Sequence, residues 1–395
     1  MIIFSGMMTL RKKIATLIPI LAGALLCEAQ QIDSLDIKIG QMILIGVPGA
    51  EMDEAVLSEV RQGKVGSIIF FEKNIPQTNS FAALRKVIWK YQKEAPVPLF
   101  ICIDQEGGRV NRLKEKYGFP RSITAQEMGA VRTLDSVRYY GQSTAATLAG
   151  LGINVNFAPV VDLASNPQNP IIAKYGRAFS DDEEWVTALA MEYIKTHRKL
   201  GIIGVPKHFP GHGSSNADTH LGIADVTATW EERELTPYAR LIGSGYAEAV
   251  MSAHIVNKKL DAAGNPGTLS DAIINGVLRG RLGFDGVVFS DDMQMHAITK
   301  HYGLEDAIKF AINGGIDIMT FSNNIDQSEE RTVDRVHRII KDLVNGGKIS
   351  RERVDESYRR IMTLKKKYLY DDAKPLQGET QPRGGDHKPG PETRG

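Results

Sequence analysis

The sequence predicts a single-domain (β/α)8 barrel of the TIM type. Eight short apolar runs alternate with helix-period segments over about 340 residues, a length ordinary for one such barrel. The runs are continuously apolar instead of alternating, as expected for strands covered on both faces in a parallel sheet. A doubly wound open sheet is the alternative, but no Gly-x-Gly-x-x-Gly turn follows the first run.

In chain order the runs are Met42–Ile45, Val65–Phe71, Pro98–Ile103, Ile153–Val161, Ile203–Val205, Ala249–Ala253, Gly286–Phe289 and Ile316–Phe321. Helix-period segments lie between them, among them Asp53–Gln62, Asp135–Ala149, Asp182–Leu200, Asp271–Leu282 and Leu304–Asn313. Gly63, Gly201, Gly283 and Gly314 close four of these helices, where a left-handed cap is expected.

Both ends of the chain fall outside the barrel pattern. Arg11, Lys12 and Lys13 precede an apolar run from Ile14 to Leu26, and Cys27 and Ala29 supply small residues for cleavage after Ala29. Residues 1–29 are therefore expected to be an export signal. The run is too short for the ~20 residues that span a bilayer, so no membrane span is expected after cleavage. A lipid anchor on Cys27 is the weaker option because Leu26 is bulkier than the small residue that usually precedes such a cysteine. The expected location is the periplasm or the medium. The barrel is assigned to residues 30–370. Residues 371–395 hold four Pro, five Gly and one large aliphatic residue, Leu376, which predicts a disordered tail.

Charge and cysteine content exclude other classes. With 48 Lys and Arg against 47 Asp and Glu, the net charge is +1, which lacks the basic surplus of a nucleic-acid binder. Cys27 and Cys102 are the only cysteines, so no disulfide framework or multi-cysteine zinc site is available.

Barrel active sites form at the C-terminal ends of the strands, and here those ends are polar. Strand 3 runs into Asp104-Gln105-Glu106-Gly107-Gly108-Arg109, and strand 4 ends near Asp162 with Arg177 further along its loop. Strand 5 runs into Lys207-His208-Phe209-Pro210-Gly211-His212-Gly213, then to Asp218-Thr219-His220. Strand 6 ends in His254, strand 7 in Ser290-Asp291-Asp292, and strand 8 in Ser322-Asn323-Asn324.

These segments resemble the glycoside hydrolase family 3 β-N-acetylglucosaminidases of the single-domain, peptidoglycan-recycling type. The resemblance rests on Asp104–Val110 (DQEGGRV), Phe157–Leu163 (FAPVVDL), Lys207–Gly213 (KHFPGHG), Asp218–His220 (DTH) and Phe284–Met293 (FDGVVFSDDM). It extends from about residue 36 to about residue 365 and implies the same barrel. Ser214-Ser215 departs from the Asp-Thr pair of many relatives, outside the Asp-x-His core.

The resemblance implies a retaining hydrolase acting on a terminal β-N-acetylglucosaminide, with neither metal nor other cofactor, as a monomer. A retaining enzyme needs a nucleophile and an acid/base on opposite sides of the anomeric carbon. Asp291 is implied as the nucleophile, with Asp292 as a cap or support. His220 is implied as acid/base and Asp218 as its partner. A free His titrates near 6.5, and a carboxylate orients its ring and stabilises the imidazolium. Asp104, Arg112, Arg177, Lys207 and His208 are implied as sugar-binding residues, although Arg177 also suits a structural pair with a loop aspartate. His212 is assigned to the loop's own structure and His254 to the pocket wall.

Three rivals remain. His208, His212, Asp218 and His220 suggest a metal-dependent barrel hydrolase, but Pro210 and Gly211 break the helix that zinc-spaced histidines need. A non-catalytic glycan-binding barrel is the second. The third is a β-glucosidase or β-xylosidase of the same family, whose larger members usually draw an acid carboxylate from a second domain that is not expected here. Because a histidine acid repels an incoming anion less than a carboxylate does, transfer to phosphate is conceivable in place of hydrolysis.

Overall fold

The computed structural model describes residues 34–219, 222–323 and 331–370. The expected export signal, the expected tail and His220 lie outside the described residues.

Eight parallel strands line the barrel: β1 (Ile43–Gly46), β2 (Ser67–Phe70), β3 (Phe100–Ile103), β4 (Val155–Asn156), β5 (Ile203–Gly204), β6 (Ala249–Met251), β7 (Val287–Asp292) and β8 (Ile318–Phe321). Their order is β5-β4-β3-β2-β1-β8-β7-β6. The two edges meet just beyond β5 and β6, where Phe209 bridges Ser252 and the Phe209 amide donates to the Met251 carbonyl at 2.9 Å. Nearly every residue of β1 to β6 and β8 is fully buried, which is why these strands show no polar alternation. Inside the barrel the Phe289 ring meets Phe157 at 5.2 Å and Phe100 at 6.2 Å between centroids. Among the described residues, no helix is long and apolar enough to cross a membrane.

Each predicted run forms its strand, with two local differences. The fourth run was expected to continue to Val161, but its regular ladder stops at Asn156. Pro159 has no N–H to give a ladder, and pairing resumes at the Val160–Lys207 bridge. Gly63, Gly201 and Gly283 adopt the expected positive φ, whereas the fourth helix runs Leu304–Gly314 and is capped by Gly315 at φ 111°. Gly314 is therefore the last helical residue and not the cap.

Two features at the strand ends bear on chemistry. Along β7 and β8 the register runs Phe289 to Ile318 and then Asp292 to Thr320, three steps against two. This bulge re-aims the last side chains of β7, Asp291 and Asp292. At the opposite end, Lys365 on the helix Arg351–Leu369 is fully buried. Its Nζ donates to Gln41 Oε1 at 2.6 Å and the Gly66 carbonyl at 2.8 Å, and lies 4.8 Å from the Phe100 ring centroid.

Candidate active site

The loop after β3 begins with two buried or nearly buried acids, Asp104 and Glu106. Gly107 and Val110 pair as a tight hairpin, with the Glu106 amide donating to the Val110 carbonyl at 3.0 Å. Gly107 has φ 103°, and a Cβ there would stand 2.2 Å from the Ile123 carbonyl oxygen, so only glycine fits. Gln105 Oε1 accepts from the amides of Arg112 and Leu113 at 3.0 and 3.1 Å. That grip returns the chain so that Arg112 Nη2 reaches Asp104 Oδ2 at 3.3 Å.

Lys207, from the end of β5, joins the two acids. Its Nζ lies 2.7 Å from Asp104 Oδ1 and 2.6 Å from Glu106 Oε1. Arg177 forms a two-pronged pair with Glu106, Nε to Oε2 and Nη2 to Oε1, both at 2.8 Å. The same Nη2 stands 3.3 Å from His208 Nε2. A guanidinium only donates, so His208 Nε2 is the acceptor and the ring proton sits on Nδ1. Nδ1 in turn donates to Asp162 Oδ2 at 2.7 Å. The Lys207–His208 peptide bond is cis, as are Ala158–Pro159 and Phe209–Pro210.

Charge in this network is nearly matched. Burial alone would raise the Asp104 carboxyl, but Lys207 and Arg112 outweigh it and hold it below the usual range. Glu106 is likewise held well below its ordinary value against burial, by Arg177 and Lys207. Burial opposes the charged forms of Lys207 and Arg177, yet the surrounding carboxylates hold both more firmly protonated. At Asp162 burial is overcome by His208 and by the His212 amide, which donates to Oδ1 at 2.8 Å.

The turn after His208 is gripped from several sides. Asp162 takes the amides of His208 and His212, and Asn169 Nδ2 donates to the carbonyls of His212 and Gly213 at 2.8 and 3.0 Å. The His212 ring is buried, its two nitrogens have no hydrogen-bond partner, and burial lowers its pKa to about 4. It is thus a neutral ring in the turn, in keeping with a structural assignment. Further along, half-buried Asp218 precedes Thr219, whose carbonyl accepts from the Ala297 amide at 3.3 Å. The strand-5 loop therefore reaches the segment that follows β7.

On β7, Asp291 Oδ1 accepts from the Asp292 amide at 2.8 Å. Asp292 points the other way, accepting from the Gln294 and Ser322 amides at 3.1 and 3.2 Å and from the Ser322 hydroxyl. Burial raises the Asp292 pKa, opposed by Ser322. His254 bridges the Thr268 hydroxyl and the Asp292 carbonyl at 2.8 and 2.9 Å, which fixes the backbone beside Asp291. Among the described residues no group of three or more His, Cys, Asp or Glu side chains has the arrangement of a metal site.

The structure thus joins Asp104, Arg112, Arg177, Lys207 and His208 in one hydrogen-bonded network, and sets Asp218 on the strand-5 loop and Asp291 at the end of β7, whose following segment is linked to that loop through Thr219 and Ala297. Sequence reasoning missed Glu106 and the supporting Asp162 and Asn169. Glu106 sits within the DQEGGRV segment two residues after Asp104, and that spacing was the available signal. Arg177 does have an acidic partner, which is Glu106 on another loop and not a nearby aspartate.

The chain matches the family model described as the glycosyl hydrolase family 3 N terminal domain over residues 34–364. It is 32% identical over 323 residues to Beta-hexosaminidase A of Pseudoalteromonas piscicida, covering 77% of this chain but 53% of that protein. It is 34% identical over 285 residues to a Beta-hexosaminidase of Tolumonas auensis, covering 71% and 83%. Among solved structures, a family 3 beta-N-acetylglucosaminidase of Paenibacillus sp. str. FPU-7 superposes with TM-score 0.79 at 32% identity, covering 88% of this chain and 65% of that one. A beta-N-acetylhexosaminidase of Beutenbergia cavernae superposes with TM-score 0.76 at 28% identity, covering 84% and 98%. The chain thus spans about half the length of the Pseudoalteromonas relative and nearly all of the Beutenbergia one. By the family match and these relatives, the chain belongs to glycosyl hydrolase family 3.

Proposed function

We propose that this protein is a retaining β-N-acetylhexosaminidase that removes terminal β-N-acetylglucosamine from glycans or peptidoglycan fragments. The observation that carries the reading is the single network joining Asp104, Arg112, Arg177, Lys207 and His208, set in the same barrel end as the Asp291 carboxylate. Such a network holds charged donors and acceptors rigidly for neutral hydroxyls, which need directional hydrogen bonds and no global field. The acetamido preference is supported by the hexosaminidase names of the relatives.

Asp291 attacks the anomeric carbon and forms a glycosyl ester as the glycosidic C–O bond breaks. His220 gives its proton to the departing oxygen, with Asp218 orienting the ring and stabilising its cation. Water then attacks the anomeric carbon, His220 takes its proton, and the bond from that carbon to the Asp291 oxygen breaks, releasing the carboxylate with net retention. Asp104 and Arg112 bind vicinal hydroxyls, while Arg177 and His208 complete the sugar contact. Residues 1–29 serve export, which places the enzyme in the periplasm or outside the cell.

Steady-state assays with an aryl β-N-acetylglucosaminide and the matching aryl β-glucoside test this reading. A kcat/KM at least ~100-fold higher for the acetamido sugar is expected. Equal or reversed preference overturns it in favour of β-glucosidase activity.

A further inference from the structure

Glu234 is 2% exposed in the single helical turn Glu232–Leu235 that follows the strand-5 loop. Its Oε2 accepts from the Gly213 amide at 3.1 Å. A Cβ at Gly211 would lie 2.7 Å from the Glu234 Cβ, so the side chain lies flat against the Gly211–Ser214 turn. Its Oε1 has no hydrogen-bond partner, and neither do the nearby Ser214 and Tyr238 hydroxyls. Among the described residues no Lys, Arg or His forms an ion pair with this carboxyl. From the loop after β4 it meets the charge of Asp162, from the strand-5 loop the Gly213 amide and Ser214, and from the next helix Tyr238. On its own element it meets the backbone of Glu231, while Arg233 turns outward to Asp181, Glu183 and Glu231.

We propose that Glu234 is a positioning residue for the acid/base loop, clamping the Gly211–Ser214 turn so that the loop carrying Asp218 is held against the segment that follows β7. The roles of Asp218 and His220 rest on the function proposed above; the clamp itself does not. Among the described residues, three buried side chains hydrogen-bond to this turn. Asn169 does not titrate, and Asp162 is held in its charged form. Glu234 differs: burial pushes its pKa up to about 7, Asp162 adds to the rise, and Ser214 opposes it without its hydroxyl standing in hydrogen-bond geometry. A free Glu titrates near 4.3, so between roughly 4.3 and 7 the closed turn holds one proton more than an opened turn that exposes Glu234. The clamp therefore weakens as pH rises through that window, by at most roughly tenfold per pH unit in the opening equilibrium.

Hydrogen exchange of peptides covering residues 211–219, corrected for the intrinsic rate, tests the clamp in the full chain from pH 5 to 8. Wild-type protection is expected to fall by at least roughly threefold over this range. In Glu234→Gln, whose amide oxygen still accepts from Gly213, protection should stay flat; in Glu234→Ala it should be low throughout. An identical pH slope in wild type and Glu234→Gln, or wild-type protection in Glu234→Ala, overturns the proposal. The second readout is kcat on aryl N-acetylglucosaminides with poor and activated leaving groups. Glu234→Ala should lose more than roughly tenfold in kcat on the poor one, change KM less than threefold, and be rescued by Glu234→Gln. A uniform rise in KM instead would contradict a positioning role. If wild type turns over neither substrate, the glycosidase reading fails while the exchange experiment still decides the clamp.

Discussion

The Thr219 carbonyl accepts a hydrogen bond from the Ala297 amide at 3.3 Å, which closes the strand-5 loop onto the segment that follows Asp291. The strand-5 loop and the end of β7, distant in sequence, are thereby set at one mouth of the barrel. In the proposed mechanism they carry the acid/base and the nucleophile, and neither suffices alone.

Lys207 is the link whose removal should cost most. It is the shared cation between Asp104 and Glu106, with a side chain 3% exposed. Lys207→Met leaves two neighbouring acids short of their counter-charge, which should cost about 3–5 kcal/mol of stability. Chemical denaturation measures the loss. The weaker grip on substrate should also raise KM by at least ~10-fold.

The site's carboxylates make folding acid-sensitive. Asp104, Glu106 and Asp162 all titrate below their ordinary range in the folded protein. Their contribution is fully present above roughly pH 4–5, where the unfolded chain is ionised, and is lost as pH falls through the lower folded values. The melting temperature should drop steeply below about pH 4. Glu106→Gln should be less stable at pH 7 and show a shallower acid slope.

Lys365 has a dependence of the same sign in an alkaline window. Burial lowers its pKa to about 7, against about 10.4 for a free lysine. Between those values the unfolded chain holds one proton more, so stability should rise with pH from 7 to 10. A neutral amine has two protons to give, which its acceptors Gln41 Oε1 and Gly66 O match. Lys365→Met should flatten this alkaline rise in urea titrations and leave kcat within about twofold of wild type, because the residue lies at the opposite end from the site.

Loss of His220 should depend on the leaving group. An activated phenol needs little protonation, so His220→Ala should reduce the glycosylation rate by less than ~10-fold with dinitrophenol and by more than ~100-fold with phenol. Pre-steady-state rates on the two substrates check this.

Much of this was legible in the sequence because barrel strands are buried on both faces. Their continuous apolar runs mark them directly, and the polar residue after each run marks the mouth. What the sequence hides is partnership across loops. Asp162 and Glu234 act on backbone amides of residues 208–213, contacts that leave no side-chain pattern at a fixed spacing. The bulge at Ser290 and Asp291 is invisible for the same reason, since it depends on the β8 register. Of the Gly314-Gly315 pair either could end the helix by sequence, and in the structure it is Gly315 that takes the positive φ, with Asn275 occupying the space a Cβ would need.

The central claim is that Asp291 becomes covalently glycosylated. A fluorinated N-acetylglucosaminide that forms the ester quickly and hydrolyses it slowly should trap that species. Peptide mass spectrometry of the quenched enzyme is predicted to find one glycosyl unit on the peptide containing Asp291, and none in Asp291→Asn. A glycosyl unit on another residue, or continued turnover by Asp291→Asn at near wild-type rate, would contradict the account.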